Sequence, residues 1–337
     1  MALWTDIITP AELTGYARSF QADYEAQNGS LTAFLPNKDV TDTVVRFMMG
    51  DSGLVEEARY RAFDAEPEVG RKRPGKRVVI ELPAVSQEIP VSEYQQLRAR
   101  NASDETLRNE ILKTTEQVVR AISDRVERTR GVVLNTGKAT INQSNYISDD
   151  DFGRDAALTF TAPALWSAAG TDALGQLQTW LDLYVSKAGV QPGAIVMGNR
   201  ALRALGATSG MATQLLNGAS RAATLNELQG TVEGAGLPPI HLYNRRTSAG
   251  LVLPDTQVLF LPAPVAPDGE SELGATFWGE TLTALDSDYV IEDGETPGIV
   301  TGVYRNEKPP MIAEVVGDSI NLPVLANANL SMSVKVL

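Results

Sequence analysis

Residues 103–130, SDETLRNEILKTTEQVVRAISDRVERTR, carry the strongest local structural signal in the chain. Apolar side chains recur through this stretch at helical spacing, with one gap filled by a threonine: Leu107, Ile111, Thr115, Val118, Ile122 and Val126. Ser103 is placed to cap the amino terminus, and Asp104 and Glu105 suit the positive end of the helix dipole. Gly131 is predicted to end the helix.

The length of this helix indicates how it is placed in the molecule. At a rise of about 1.5 Å per residue it measures on the order of 40 Å. A compact globule of 337 residues has a radius of gyration of only about 20 Å. The helix is therefore predicted to cross the whole body as a spine, and not to be one member of a bundle.

The composition excludes several kinds of site. The chain contains no cysteine and one histidine, so it cannot form a disulfide, a thiolate zinc site, an iron–sulfur cluster or a site that needs two imidazoles. Its 42 acidic and 29 basic residues give a net charge of −13, which argues against nucleic-acid binding through many Lys and Arg contacts. The hydrophobic fraction of 43% is enough for a sizeable core, and the length suits two domains.

Targeting signals are not evident in the sequence. The opening residues lack a basic segment followed by an apolar one, so no signal peptide is predicted. No apolar run approaches the length of about 20 residues that spans a bilayer. We therefore expect a soluble protein that is made in the cytoplasm and has no membrane partner.

Residues 1–55 read poorly as a self-contained domain. Within them Leu13, Tyr16, Phe20 and Tyr24 recur at spacings of three and four residues, which predicts a short amphipathic helix. Two interpretations stay open: the helix packs on its own core, or it belongs to an arm that packs on a neighbouring subunit.

Residues 56–95 are interpreted as a long two-stranded hairpin, in which extended segments at 58–69 and 78–91 flank a Pro-Gly turn signal. Five cations lie at its tip: Arg71, Lys72, Arg73, Lys76 and Arg77. An isolated two-stranded hairpin is only marginally stable in water, so this one is expected to lie on something else. The basic tip is either a solvated turn or an electrostatic contact with the acidic surface of a second copy, and we favour the contact.

The rest of the chain alternates between helices and strands. Residues 132–141 are predicted to form a strand, and residues 142–163 a polar loop followed by a strand. Beyond them the pattern predicts a helix between Asp172 and Gly189, helices at 199–205, 211–216 and 225–232, and strands at 194–197, 240–243, 251–253, 258–261 and 275–278. In the tail, strands at 311–316 and 320–325 are predicted to flank a Gly317-Asp318 turn, with a last strand at 330–336.

Motifs that would carry enzyme chemistry fail on closer reading. The segment from Gly131 to Thr140 resembles a phosphate-binding loop, but its spacer is too long and Ala139 replaces the required hydroxyl. The triplet Asp151-Phe152-Gly153 lacks the other kinase motifs, and His241 lies in an apolar strand with no nucleophile elbow to partner it.

Acidic clusters are the remaining candidates for chemistry. Residues 149–151 with Asp155 form one group and Asp286 with Asp288 another, but neither has the spacing or the glycine of an EF-hand loop. Such clusters in an acidic chain are mostly solvated loop charges. No catalytic, metal-binding or cofactor-binding residue is therefore assigned, no cofactor is expected, and an enzyme is not predicted.

Two segments near the end of the long helix form a recognisable pair. Residues 133–138 read Val-Leu-Asn-Thr-Gly-Lys, and Asp151-Phe152-Gly153-Arg154 comes shortly after. Further matches follow in order: residues 192–202, residues 225–228 leading to 240–243, and a late strand at 256–264. In this order and spacing the chain, from its first residues to its tail, resembles the lambda-type (protein E family) major capsid proteins of tailed bacteriophages.

This resemblance implies an α+β chain with the Hong Kong 97-like phage capsid fold. Its implied parts are an N-terminal arm (1–55), an E-loop (56–95), a peripheral or P-domain (96–164) with spine helix 103–130, an α/β axial or A-domain (165–300), and C-terminal P-domain strands (301–337). The resemblance implies self-assembly as hexamers and pentamers into an icosahedral head that encloses double-stranded DNA. Portal, scaffold and decoration proteins are the other implied partners, and DNA would be touched only by weak non-specific contacts.

Contacts between subunits are expected at the five cations of the hairpin tip and at the stripe of Leu13, Tyr16, Phe20 and Tyr24. Some relatives link an E-loop lysine covalently to a P-domain asparagine, but lambda-type members generally do not. That chemistry is therefore not assigned to Lys72 or Lys76, nor to Asn327 or Asn329 in the tail.

Two other functions stay open on the sequence. A nanocompartment (encapsulin-like) shell protein would share the same fold and enclose enzymes. A hydrolase or transferase built on the α/β half would need a catalytic set, and the only histidine lies in an apolar strand. The implied location is the virion capsid, after synthesis and assembly in the cytoplasm of a bacterial host.

Overall fold

A computed structural model describes residues 7–49, 76–98, 103–143, 146–214, 220–266, 269–286, 297–305 and 308–337. These ranges contain six α-helices: α1 (Pro10–Asn28), α2 (Glu93–Arg98), α3 (Asp104–Thr136), α4 (Ala173–Ala188), α5 (Asn199–Ala207) and α6 (Leu225–Gly234). Their strands are β1 (Asn37–Asp39), β2 (Val44–Met49), β3 (Lys76–Glu81), β4 (Ala84–Val91), β5 (Lys138–Gln143), β6 (Tyr146–Asp151), β7 (Thr159–Thr161), β8 (Ala194–Met197), β9 (Thr213–Gln214), β10 (Ser220–Arg221), β11 (Ile240–Leu242), β12 (Arg246–Thr247), β13 (Gly250–Leu251), β14 (Gln257–Leu261), β15 (Gly274–Gly279), β16 (Val300–Arg305), β17 (Ala313–Leu325) and β18 (Met332–Lys335).

The spine helix α3 is longer than the sequence predicted. The Ser103 side chain caps it by accepting the Thr106 N–H at 3.3 Å, as expected, but the helix ends at Gly137, which has a left-handed φ of 73°. The predicted stop at Gly131 and the predicted strand over residues 132–137 are therefore wrong. Gly131 serves a different purpose, because a β-carbon there would lie 2.6 Å from the Val252 carbonyl oxygen. Glycine lets the backbone of residue 252 touch the helix.

Helix α3 contributes to three separate hydrophobic clusters along its length. Leu107 and Ile111 pack with Leu13, Val91 and Ala313 near its amino end. Valines and an isoleucine in its middle pack under the first sheet: Val118, Val119, Ile122 and Val126. Val133 and Leu134 at its carboxy end belong to the largest cluster, which fills the second half of the molecule. The helix therefore runs through the whole subunit, as its length predicted.

The first sheet is built around β17, a strand of 13 residues. Its first half pairs with β16 on one side and β4 on the other, and its second half pairs with β15, which in turn pairs with β1. The predicted Gly317-Asp318 turn is wrong, because β17 passes straight through both residues. A β-carbon on Gly317 would lie 2.5 Å from Val118 Cγ1, so this glycine also marks a point of close packing on α3.

The second sheet has the strand order β11-β8-β14-β18-β7. The predicted helix between Asp172 and Gly189 is confirmed: the Asp172 side chain accepts the Gly175 N–H at 3.0 Å, and Gly189 closes α4 with a φ of 76°. The predicted helix at 211–216 is wrong where it is described, since Thr213 and Gln214 form β9. The last strand, β18, lies between β14 and β7 in the second sheet. The tail therefore contributes β17 to the first sheet and β18 to the second.

The predicted hairpin is divided between two sheets. β3 pairs with β2 as a two-stranded ribbon, whereas β4, after Pro83, leaves the ribbon and joins the first sheet. The outgoing strand at 58–69 and the tip residues Arg71–Arg73 lie outside the described residues. A second ribbon, β5 with β6, replaces the polar loop that was predicted after α3.

Two glycine-to-alanine substitutions in helices are predicted to change stability in opposite directions. Gly131→Ala places a methyl group against the Val252 carbonyl, and such overpacking costs about 1–3 kcal/mol despite the better helix propensity of alanine. Gly15→Ala in α1 meets no heavy atom within 4 Å, so the gain in helix propensity of about 0.5–1 kcal/mol remains. Denaturant unfolding of the two variants measures both values, and equal shifts of one sign would contradict the close-approach role of Gly131.

Candidate assembly surfaces and the buried junction between them

The residues that the sequence offered as candidates for enzyme chemistry make structural contacts within the fold. His241 in β11 packs edge-on against Phe34, with ring centroids 6.3 Å apart. Asp149 accepts a hydrogen bond from Thr140 at 2.6 Å, and Asp150 accepts one from Ser148 at 2.6 Å. Within the described ranges, no three His, Asp or Glu side chains gather as a metal site, and Asp288 lies outside those ranges.

The two motifs that carried the family resemblance form one structural unit. Lys138 and Asp151 make an ion pair of 2.8 Å that closes the base of the β5–β6 ribbon. Phe152 is buried, and Arg154 turns back to the carboxy end of α3, where it donates to the carbonyls of Leu134 at 2.6 Å and Asn135 at 2.9 Å. A cation is favourable there because the last carbonyls of a helix carry partial negative charge.

Arg154 stays charged at neutral pH although it has no carboxylate partner among the described residues. Burial lowers its pKa to about 10, which is still well above neutrality. Gly137 makes room for it, because a β-carbon at position 137 would lie 2.9 Å from the Arg154 side chain. The order Gly-Lys, then Asp-Phe-Gly-Arg, is therefore a helix terminus, a ribbon and the cation that caps the helix.

The apolar stripe of α1 lies on the spine helix of the same chain. Leu13 is 1% exposed, the Tyr16 hydroxyl donates to Glu116 at 2.8 Å, and the Tyr24 hydroxyl donates to Asp124 at 3.1 Å. Phe20 lies between the two tyrosines, and Arg120 covers its ring at 5.2 Å. This packing matches the first of the two interpretations, in which the helix packs on the core of its own chain. A contact of the stripe with a neighbouring subunit stays a prediction, and Leu13 has almost no free surface for it.

The basic tip of the predicted hairpin is only partly described. Lys76 and Arg77 begin β3, whereas Arg71, Lys72 and Arg73 lie outside the described residues. The β2–β3 ribbon pairs with no further strand in the described part of the chain. The proposed electrostatic contact of the tip with a second copy stays a prediction.

A buried ionic junction, which the sequence did not predict, joins α1, α3 and both sheets. At its centre Arg130 is 0% exposed and its guanidinium donates to five side chains: Thr276 at 2.9 Å, Glu25 at 3.4 Å, Ser30 at 3.2 Å, Glu127 at 3.0 Å and Asn37 at 2.6 Å. All three of its nitrogens are therefore satisfied, as a buried guanidinium requires.

Glu127 is the anionic partner and is equally buried. Its carboxylate accepts from the Leu31 N–H at 2.7 Å, the Ser30 hydroxyl at 2.9 Å and the Tyr243 hydroxyl, in addition to Arg130. Burial by itself would raise the pKa of Glu127, but the Arg130 charge and these hydrogen bonds outweigh it and lower the pKa. Burial and the Glu127 charge raise the pKa of Tyr243, which therefore stays a neutral donor.

A second arginine extends the junction toward the second sheet. Arg245 donates to the Gly29 carbonyl at 3.1 Å and to Asp124 at 3.0 Å, and its guanidinium lies 5.0 Å from the centre of the Tyr24 ring. One signal in the sequence could have revealed the junction. Arg130 follows Val126 by four residues, so it must lie on the apolar face of the spine helix, where a charge needs a partner.

Several large apolar side chains are left exposed in places that sequence reasoning did not single out. Tyr94 and Leu97 of α2 are exposed beside Met311, whose carbonyl accepts from the Gln96 side chain. Ile147, at the tip of the β5–β6 ribbon, is 77% exposed, and Leu282 is 87% exposed.

Comparison with solved structures identifies the fold. A prophage capsid protein from Escherichia coli CFT073, described as putative, superposes with a TM-score of 0.62 at 17% identity, over 98% of this chain and 99% of that one. A phage-related protein from Bordetella bronchiseptica RB50 superposes with a TM-score of 0.58 at 13% identity, over 96% and 94% of the two chains. The fold is therefore the Hong Kong 97-like fold of phage capsids and related shells.

The sequence itself gives the family. The profile of the phage major capsid protein E family matches residues 9–336, so the chain belongs to that family and is a structural coat protein of the virion. No curated protein sequence matches the chain. The helices in the described ranges include none long and apolar enough to cross a membrane.

Removing the cation of the buried junction is predicted to destabilise the subunit strongly. Arg130→Met leaves Glu127 buried without its counter-charge, and breaking a buried pair in this way costs about 3–5 kcal/mol. Arg108→Met removes the cation of an exposed ion pair with Glu12 and is expected to cost less than about 1 kcal/mol. Urea unfolding gives both values, and similar losses for the two variants would contradict a central role for Arg130.

Acid is predicted to weaken the junction through Glu127. Its pKa in the folded protein lies below the ordinary value of about 4.3, so its contribution to stability is complete above that pH and is lost as the pH falls through the folded pKa. Glu127→Gln removes this contribution. The free energy of unfolding, measured between pH 7 and pH 3, should fall less steeply in the variant, and identical slopes would contradict the assignment.

Proposed function

We propose that the chain assembles with copies of itself as hexamers and pentamers into an icosahedral phage head that encloses double-stranded DNA. The observation that carries this proposal is the match of residues 9–336 to a major capsid protein family. Projecting elements support it. The β2–β3 ribbon, the β5–β6 ribbon and helix α2 each present apolar side chains, including Val79, Ile147, Tyr94 and Leu97, that another subunit would cover.

The proposed division of the subunit follows the predicted parts of the fold: an arm at 1–55, an E-loop at 56–95, a P-domain at 96–164, an A-domain at 165–300 and tail strands at 301–337. The first sheet with α3 would be the P-domain and the second sheet the A-domain. Two amendments come from the strand pairing. The ribbon of the E-loop begins with β2 at Val44, and the tail contributes β18 to the A-domain sheet.

The net charge of −13 supports a container and not a DNA-binding protein. A wall that attracted phosphates strongly would hold the packaged DNA in place, whereas a repulsive wall lets it slide. Contacts with DNA would then be weak and non-specific. Portal, scaffold and decoration proteins are the proposed further partners, with assembly in the host cytoplasm.

The basic E-loop tip is proposed to bind the acidic surface of a neighbouring subunit. Replacing Arg71, Lys72 and Arg73 by Glu is predicted to block assembly and leave the subunit folded, because none of the buried core residues is changed. Each surface ion pair is worth only about 0–1 kcal/mol, but the contact recurs at every subunit of a shell. Negative-stain electron microscopy of the purified protein measures assembly, and circular dichroism measures folding.

A matched charge reversal separates the tip from the overall charge. Replacing Lys113, Arg203 and Arg246 by Glu changes the net charge by the same amount at three exposed sites, in α3, α5 and β12. This variant is expected to retain assembly. Shells from the tip variant, or loss of shells from both variants, would contradict the proposed contact.

The contents of native particles distinguish the phage head from a nanocompartment. Particles from the source cell are expected to contain double-stranded DNA that is protected from nuclease. Particles that contain protein cargo and no DNA would support the encapsulin-like alternative instead. A chain that stays a monomer under all assembly conditions would contradict both.

A further inference from the structure

The first half of β17 has one partner strand on each side, and the two partners are protected from further strand pairing in different ways. β4, on one side, reads AVSQEIPV and contains both a charged residue, Glu88, and a proline, Pro90. Charge and proline on an outer strand discourage the addition of another strand, because the charge must stay hydrated and proline has no N–H to donate. β4 therefore protects its own edge.

β16, on the other side, has no proline, and its one charged residue, Arg305, is the last residue of the strand. Residues 299–304 read Ile-Val-Thr-Gly-Val-Tyr, with no charge and no proline. A run of six uncharged residues without proline, five of them β-branched or aromatic, is a composition that pairs readily with another strand. Left open, this edge would be a strand-pairing surface.

Helix α1 covers that edge with side chains that replace a missing strand. The Thr14 hydroxyl accepts the Thr301 N–H at 3.1 Å and donates to the Thr301 carbonyl at 3.2 Å. One turn further, the Arg18 Nε donates to the Ile299 carbonyl at 3.2 Å. Thr14 is buried, so its hydroxyl is committed to this contact.

We propose that α1 is an edge cover, and that the surface beneath it, residues 299–303, pairs with the same edge of a second copy when the cover is lost. Antiparallel pairing of two identical edges satisfies the outward N–H and C=O groups of Thr301 through a two-fold axis, without any other partner. Such edge-to-edge pairs would divert subunits from a shell into irregular aggregates. The proposal concerns the subunit alone and does not depend on the proposed head.

The direct test removes the Thr14 hydroxyl. Thr14→Val keeps the shape of the side chain and leaves both Thr301 groups unpaired, whereas Thr14→Ser keeps the hydroxyl. In hydrogen–deuterium exchange, the Thr301 amide of the valine variant should exchange roughly tenfold faster, as expected for the loss of one hydrogen bond. On incubation, the valine variant should form thioflavin-positive aggregates by fluorescence and size-exclusion chromatography, and the serine variant should not.

Thr115→Val is the matched control. Thr115 is also a buried threonine, but its hydroxyl donates only to the Ile111 carbonyl of its own helix. The Thr115→Val variant is expected to remain free of thioflavin-positive aggregates. Equal aggregation of the two valine variants would overturn the proposal, because buried hydroxyl loss in general would then be the cause.

Two further measurements keep the test decisive if Thr14→Val folds poorly. Tyr304→Lys in the Thr14→Val background places a charge on the uncovered strand and should suppress aggregation by at least severalfold. In the unaltered protein, the Thr301 amide should exchange through the same opening as the amides of residues 14–18, which lie inside α1. Protection of Thr301 that persists after those amides open would overturn the proposal.

Discussion

The ion pair of Glu127 and Arg130, 3.0 Å long and fully buried, is the interaction on which the arrangement of this subunit depends. Taking two charges out of water is costly, and their attraction offsets that cost only if every remaining donor and acceptor is satisfied. The segment after α1, the first sheet and the segment after β11 supply those partners through Ser30, Thr276 and Tyr243. Displacing any of these segments leaves a buried charge incompletely bonded. The pair therefore fixes relative positions more than it adds net stability.

The spine helix α3, helices α4, α5 and α6, and most strands could be predicted from the sequence, because their apolar spacing and their capping residues are local signals. The main errors fall on glycines. The sequence predicts a helix stop at Gly131 and a turn at Gly317, but both glycines lie where another backbone or side chain approaches α3 too closely for a β-carbon. A glycine that ends a helix or forms a turn cannot be distinguished in the sequence from a glycine that permits close packing. Only the packing partner, Val252 or Val118, distinguishes the two roles. Those partners lie more than one hundred residues away in the sequence.

In the candidate site, too, the features with a local sequence pattern could be predicted, and those formed by residues distant in the sequence could not. The stripe of α1 was visible because its spacing is local, whereas its partner could not be chosen between the same chain and a neighbour. The junction was missed because its members, from Glu25 to Arg245, are spread along the chain and no short motif contains them. Arg154 belongs to a family motif, but its role as the cation at the end of α3 depends on the β5–β6 ribbon, which returns the chain to the helix terminus.

The central claim is that Glu127 couples the segment after α1 to the segment after β11, and a double-mutant cycle tests it most directly. Ser30 and Tyr243 each donate to Glu127, through different carboxylate oxygens. Ser30→Ala, Tyr243→Phe and the double variant are compared by their free energies of unfolding. Coupling through the shared carboxylate predicts a non-additive interaction energy of about 0.5–3 kcal/mol. Additivity within about 0.3 kcal/mol would contradict the claim that the junction holds these parts together.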